Sequence, residues 1–552
     1  MTSEQLAKEL QTLIKGDVVF DDQTLDRMSH DMSIFEMRPK IIVYPKDETD
    51  VSIVVRFVKM KKATGEDISI TARAAGSDMS GGVLSTGVVL VYTKYMNQLK
   101  EVGVDFAIVE PGMFYRDFDA ETKKHDGLIL PSFPASREIC ALGGMINNNS
   151  GGELNLRYGK TDRYVHALSV TLSDGSSAEF KKITLDELEQ KKTGNGFEAQ
   201  IYRDMHRMLK EHKQEIENST PTVTKNSAGY ALWDVLDEER GTFDLARLLV
   251  GAQGTLALVN EAKVGLVKPK PRRAMMVAFV HSLKDVPEVM HRILPLSPES
   301  CESYDENTLK LALRFFPELF KQLGFMNMLK LGFSFIPELL MFVRGGAPDL
   351  IIMVEFAEDT DEEALRKARA AAWSLRDLNA KTEVINTALG AKKFWTIRRE
   401  SFALLRKNPK GLKAAPFIDD FVVHVDDLPH FLPELITLLS PYKLTFTIAG
   451  HVGDGNFHII PLMNLADPKS HDIIIELSQK VYALVHQYHG SITGEHNDGI
   501  IRTPYLPMMF TPAMLELFAQ TKHIFDPQNI LNPGKKVGGT IADIKKYMMS
   551  HK

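Results

Sequence analysis

The sequence predicts an α+β protein of several domains, and three observations carry that expectation. At 552 residues the chain is long for one hydrophobic core, so two to four domains are expected. From residue 37 to about 175, short apolar runs alternate with a helical pattern and with loops of small residues. Beyond residue 270, strand-like runs alternate with helical patterns, which implies an antiparallel sheet carrying helices.

Composition excludes several classes. The chain is 44% hydrophobic and 25% charged, as ordinary globular proteins are. A formal net charge of −6 argues against nucleic acid as a partner, which needs a basic face. Two cysteines, Cys140 and Cys301, can neither frame a disulfide scaffold nor ligate an iron–sulfur cluster. A reducing, cytoplasmic setting fits, and any second redox centre is expected on another chain. No basic stretch precedes an apolar run at the N-terminus, so no signal peptide is expected. No segment offers about 18 uninterrupted apolar residues, so no membrane span is expected either.

In chain order, Leu6, Leu10, Leu13 and Ile14 lie at helical spacing and predict an amphipathic helix, within an N-terminal helical segment over residues 1–35. Ile41-Ile42-Val43-Tyr44-Pro45 is a short apolar strand, and residues 51–61 continue as a helix. The strand over residues 68–73 feeds a loop, 74–82, of small residues, before a strand at 87–92. Gly76, Ser77, Asp78 and Gly81 in that loop leave backbone N–H groups unobstructed, which suits a diphosphate. A plain tight turn would have the same composition. A second such stretch holds Pro131, Ser136, Gly143, Gly144, Asn147, Ser150 and Gly151. Its glycines permit close backbone approach, its asparagines offer amide donors and acceptors, and its flanks are apolar. A strand over 165–172 and the turn Asp174-Gly175 follow.

In the back half, strands are predicted at 274–279, 351–356 and 382–385, with helices at 286–293 and 361–378. Residues 309–346 are unusually apolar, with Phe325, Met326 and Met328 among many others, punctuated by Lys321, Lys330 and Arg344. They predict either helices covering an active site or a surface that dips into an anionic bilayer interface. Trp395 to Glu400 lie on a helical pattern, where basic residues usually face water. The richest stretch is His451-Val452-Gly453-Asp454-Gly455-Asn456-Phe457-His458, two strands joined by a Gly-Asp-Gly turn. A hairpin brings His451 and His458 together at its mouth. Glu495 and His496 follow in another Gly-flanked turn. Two imidazoles and a carboxylate suit zinc or a similar divalent ion with an open position, leaving His496 to move a proton.

Several of these stretches in this order resemble the flavin-dependent oxidoreductases with a PCMH-type (vanillyl-alcohol-oxidase) FAD domain. Within them the chain is similar to the D-lactate dehydrogenase, glycolate oxidase FAD subunit and D-2-hydroxyglutarate dehydrogenase branch. The likeness rests on residues 73–82, 109–112, 131–159, 225–230, 251–256, 395–400, 451–458, 495–496 and 525–535. It implies a two-lobed FAD domain over 36–270, an α+β cap with an antiparallel sheet over 271–510, and a segment, 511–552, returning to the first domain.

The resemblance further implies non-covalent FAD, since relatives that bind flavin covalently often carry a His in the first loop and this one reads Gly76-Ser77-Asp78. Arg73, Gly76, Ser77, Asp78, Gly81, Pro131, Ser136, Gly143, Gly144, Asn147, Ser150, Gly151, Gly254, Thr255 and Asn532 would surround it. Arg398, with Arg399 as the fallback, would grip a substrate carboxylate. Lys413 falls near a second carboxylate-binding position, and His496 and Asn456 complete the catalytic set. His451, His458 and Glu495 would hold zinc, manganese or iron. The implied activity is oxidation of a D-2-hydroxy acid to the 2-oxo acid. An external quinone, cytochrome or flavoprotein would take the electrons, with peripheral contact on the inner membrane face through 309–346. Two rivals share the fold: a transferase like alkyl-glycerone-phosphate synthase, which needs a run of consecutive His absent here, and a silent flavin-binding subunit, which would have no need of the His and Glu ligands.

Overall fold

The computed structural model describes residues 1–306, 308, 348–406 and 412–550. The apolar stretch 309–346, with both readings attached to it, lies outside the described residues. Three sheets organise the rest. The first runs in the order Asp17–Val19, Ile41–Tyr44, Val88–Val91, Ile70–Arg73. Only Asp17–Val19 is antiparallel to its neighbour. Parallel strands are covered on both faces, which is why Ile41-Ile42-Val43-Tyr44 is an unbroken apolar run. On one face, Leu6 and Leu10 of helix Ser3–Gln11 and Val51, Val54, Val55 and Val58 of helix Glu48–Ala63 bury against Ile41, Val43, Ile70, Val88 and Leu90. Asp47 caps the longer helix by accepting from Asp50 N–H. Two expectations need correction. The first helix stops at Gln11, so Leu13 is 49% exposed. Residues 1–35 are also not all helical, because Asp17–Val19 forms the sheet's edge.

The second sheet is antiparallel, in the order Leu99–Val102, Phe106–Val109, Leu258–Gly265, Val165–Thr171, Ser177–Thr184, Thr242–Asp244, Leu236–Asp237. The stretch around Gly143 and Gly144 is a short helix, Leu142–Asn148, ended by Asn149 in the left-handed region at φ 51°.

The third sheet has eight antiparallel strands. Its order is Ala380–Ile385, Arg272–Val280, Leu350–Glu358, Ser300–Asp305, Thr445–His451, Asn456–Met463, Lys413–Ala414, with Phe421–Val422 also paired to Asn456–Met463. Period-two alternation sorts its residues between two buried faces. Met276, Ala278, Ile352, Val354 and Phe356 pack with Ala364, Ala368 and Ala371 of helix Asp361–Ser374. Met275, Val277, Phe279, Ile351, Met353, Tyr304 and Ala449 pack with Phe394, Trp395 and Ile397 of helix Ala388–Arg406. Glu302 and His451, two residues from Tyr304 and Ala449, therefore share this second face. The chain finally returns to the first sheet. Ile70 N–H donates to Ile530 O, and Asn532 N–H to Ile70 O, both at 2.7 Å. Among the described residues no helix is long and apolar enough to cross a membrane.

Candidate active site

One long cavity lies between the second face of the third sheet and the front half of the chain. Its outer walls are Gly76, Ser77, Asp78 and Gly82, then Pro134, Ser136, Gly143, Gly144, Asn147, Ser150 and Gly151, with Gln253 and Gly254. Its inner end is Glu302, Trp395, Arg398, Arg399, Thr447, Ala449, His451, His458, Ile460, Glu495 and His496. A Cβ at Gly144 would have only the Ala74 Cβ near it, at 4.0 Å, and one at Gly254 only the Ala72 Cβ, at 3.8 Å. Side chains there would stand in the cavity itself, so the wall is shaped for something that needs bare backbone. That fits the flavin and diphosphate of FAD.

Some expected cofactor residues stand behind this wall instead. Arg73 lies beneath the first loop, donating to His30 O at 2.7 Å and Met28 O at 3.3 Å. A Cβ at Gly76 would sit 2.2 Å from its guanidinium. Gly81 is backed by Phe35 and Ile500. Pro131 is buried outside the lining. Thr255 is sealed off, its hydroxyl bonded to Ala252 O and Tyr230 OH. Asn532 donates to Gly82 O and Gln253 O and accepts from Thr71, clasping the loops from behind. Asp78 folds its carboxylate into its own loop, accepting from Gly82 N–H at 2.6 Å, Ser80 N–H at 3.2 Å and the Asn148 amide at 3.0 Å.

The inner end is built on the predicted hairpin. Thr445–His451 and Asn456–Met463 pair with His451 opposite Asn456 and Ala449 opposite His458. His451 and His458 are thus a diagonal pair on one face, with ring centroids 5.3 Å apart. Glu495 Oε1 faces three ring nitrogens: His451 Nε2 at 3.2 Å, His458 Nε2 at 3.5 Å and His496 Nε2 at 3.9 Å. Ligand atoms of His451, His458 and Glu495 all lie within 4.8 Å of one another, all buried. Each of these two imidazoles has a carboxylate on its far nitrogen. Glu302 meets His451 Nδ1 at 2.5 Å and Asp419 meets His458 Nδ1 at 2.9 Å. Carboxylate-backed imidazoles with a third carboxylate are the donor chemistry of zinc-type sites, so the residues fit a divalent ion.

The electrostatics agree. Burial by itself would lower the His458 pKa, but Asp419 and Glu495 outweigh it and push the value up to about 10. Burial would raise Glu495, yet Lys225 and His451 hold it well below the usual carboxylate range. This acid-rich pocket holds His458 as a cation unless a metal ion takes the proton's place. Glu302 also accepts from Arg398, at 3.2 and 3.1 Å. Arg399 donates to both oxygens of Glu153, from Nη2 at 2.6 Å and Nε at 3.1 Å, and stacks on Trp395.

Two expected catalytic residues do not line the cavity. Lys413 sits on the sheet's short terminal strand opposite Met463, its amine 3.8 Å from the Met549 sulfur. Asn456, directly across the hairpin from His451, is fully buried and outside the cavity lining, its amide donating to Asp420 and Phe421 O at 3.1 Å and its oxygen accepting from Lys225 at 3.4 Å. Conversely, Glu302, Asp419, Asp420 and Lys225 belong to the site unforeseen. An acid in a buried strand, the doublet Asp419-Asp420 ending an apolar run, and a lysine in the 225–230 motif were the available signals.

Family models match both the front half of this architecture and the part that carries the third sheet. The FAD binding domain matches residues 39–181, and the C-terminal domain of FAD linked oxidases matches residues 268–536. The chain belongs to that family. 4-Ethylphenol oxidase from Gulosibacter chungangensis shares the fold at TM-score 0.68 and 15% identity, over 97% of each chain. Alkyldihydroxyacetonephosphate synthase shares it at 0.67 and 15%, over 96% of this chain and 85% of that one. Among curated relatives, D-2-hydroxyglutarate dehydrogenase of Pseudomonas putida is 30% identical over 94% of this chain, and that of Escherichia coli 27% over 92%. This chain spans 50% and 49% of their lengths. Glycolate oxidase subunit GlcD of Bacillus subtilis is 25% identical over 96% of both chains.

Proposed function

We propose that this protein is an FAD-dependent dehydrogenase that oxidises a D-2-hydroxy acid to its 2-oxo acid. The names of its curated relatives support the reading. The observation that carries it is the cluster of His451, His458, Glu495 and His496 opening, beside Arg398, into the same cavity as the bare walls at Gly144 and Gly254. FAD, bound non-covalently, supplies the hydride acceptor at N5. A divalent ion on His451, His458 and Glu495, with zinc ahead of manganese or iron, supplies Lewis acidity toward the hydroxyl oxygen.

The chain's own residues do the rest. Arg398 pairs with the substrate carboxylate and aims the α-C–H bond. Arg398 is bonded to Glu302 beside His451, and Arg399, bonded to Glu153, is the fallback. His496 takes the hydroxyl proton while the C–H bond gives up its electron pair and the C=O bond forms. Both electrons pass to an external quinone, cytochrome or flavoprotein. Residues 309–346 either cover the active site or meet an anionic membrane surface, and salt-reversible co-sedimentation with liposomes decides between the two. For the chemistry, D- and L-2-hydroxy acids are added to the protein without oxygen. A D-acid is expected to bleach the flavin absorbance and its L-enantiomer is not. No bleaching with any D-acid overturns the reading.

A further inference from the structure

Asp419 and Asp420 are adjacent acids with separate tasks. Asp420 has its backbone in the left-handed region, φ 70°, and its carboxylate serves the chain. It accepts from Glu495 N–H at 2.9 Å, His496 N–H at 2.7 Å, the Thr493 hydroxyl at 2.7 Å and the Asn456 amide at 3.1 Å. Those bonds fix the turn that carries Glu495 and His496. The left-handed residue lets the carboxylate of its neighbour reach the same site.

Asp419 is fully buried and its carboxylate meets only imidazoles among the described residues. Oδ1 lies 2.9 Å from His458 Nδ1, and Oδ2 lies 2.7 Å from His496 Nδ1. That second contact is off the hydrogen-bond line, yet neither atom has a hydrogen-bond partner elsewhere. The two rings are stacked, centroids 5.0 Å apart and planes 27° apart, and both turn Nε2 toward Glu495 Oε1. Arg502 pins the Asp419 carbonyl at 2.7 Å, so the carboxylate is held from behind.

We propose that Asp419 is a positioning residue that fixes both rings at once. It holds His458 to present Nε2 to the metal and His496 to present Nε2 to the substrate hydroxyl. An imidazole without a partner on Nδ1 can turn over and exchange its two nitrogens. One carboxylate across two stacked rings ties the ligand's orientation to the base's. The proposal rests on the function given above for the cluster.

Flavin-loaded Asp419→Asn and Asp419→Glu are compared with the wild type in two measurements. One is the divalent ion remaining, by elemental analysis, after timed exposure to a chelator. The other is the limiting rate of anaerobic flavin reduction and the acid concentration at half that rate. Asp419→Asn is expected to keep FAD and a cooperative melting transition, because Asp420 carries the backbone contacts. It should lose the ion about 10–100-fold faster and reduce about 10–100-fold more slowly, with the half-saturating concentration unchanged. Asp419→Glu keeps the charge and should recover part of both. An Asn variant matching the wild type in both measurements overturns the proposal. So does equal failure of Asn and Glu with loss of FAD, which would mean a structural role alone. If no 2-hydroxy acid reduces the wild-type flavin, the functional reading fails and the chelation comparison decides on Asp419. If the wild type holds no ion but is reduced, the rate comparison decides. A wild type with neither overturns both.

Discussion

Glu495 divides its oxygens between opposite duties. Oε1 faces the three imidazoles, while Oε2 lies 3.4 Å from Lys225. Burial by itself would strip Lys225 of its proton, but Glu495 and Asp454 hold the charge in place. With one oxygen occupied, Glu495 would offer a metal in the proposed site a single donor. His496 differs from its neighbours in being 21% exposed at its side chain, which suits a group that trades protons. His496→Asn is expected to retain metal and FAD while slowing flavin reduction about 10²–10⁴-fold, read by stopped-flow absorbance. Wild-type speed in that variant would remove His496 from the mechanism. The residues legible in the sequence were those in Gly-flanked turns, His451, His458, Glu495 and His496. Glu302 and Asp419 were not, because they reach their imidazoles across 149 and 39 residues and only sheet pairing brings them there.

The hairpin is the element that holds these side chains in register. Gly455 closes its turn at φ 67°, and a Cβ there would come within 1.9 Å of Val423 O. Left-handed backbone alone costs an L-residue about 1–2 kcal/mol, and Val423 belongs to backbone that cannot step aside cheaply. Gly455→Ala is expected to lower unfolding stability by at least that much in urea titration, and to release the metal before FAD. Helix Val286–Ile293 and the strands Arg272–Val280 and Leu350–Glu358 of the third sheet were readable because their apolar spacing is undisturbed, whereas Ser300–Asp305 is too polar to stand out. The Leu142–Asn148 helix was hidden by two glycines and two asparagines, residues that disfavour helices unless tertiary contacts insist.

At the scale of the molecule, charged contacts stitch the cap to the front lobe. Arg399 meets Glu153 at 2.6 Å, and Arg157 donates to Ala357 O at 2.7 Å. Glu355 lies along this seam. Burial pushes its carboxyl up to about 7, with Glu299 and Glu153 adding to the rise and Arg273 and Arg399 opposing it. A raised carboxyl contributes stability that is complete below its ordinary value of 4.5 and is lost as pH rises through 7. Stability is therefore expected to fall across that window by on the order of 1–3 kcal/mol. Glu355→Gln should flatten the melting temperature over the same range. An unchanged slope in that variant would place the dependence elsewhere. The alternation of strands and helices predicted the layers of the cap, but nothing in the spacing of Glu153, Glu299 and Glu355 announced that they would meet.

The Asn532 clasp sets a timetable. Thr71 and Gln253 precede their partner by 461 and 279 residues. At about 5–20 residues per second of synthesis, the first loop waits roughly 20–90 s for Asn532 to leave the ribosome. Until then, nothing draws the Gly82 and Gln253 carbonyls together from behind. Until Asn532 emerges a nascent chain can hold its nucleotide only loosely, and firm capture of the yellow cofactor waits on that one side chain.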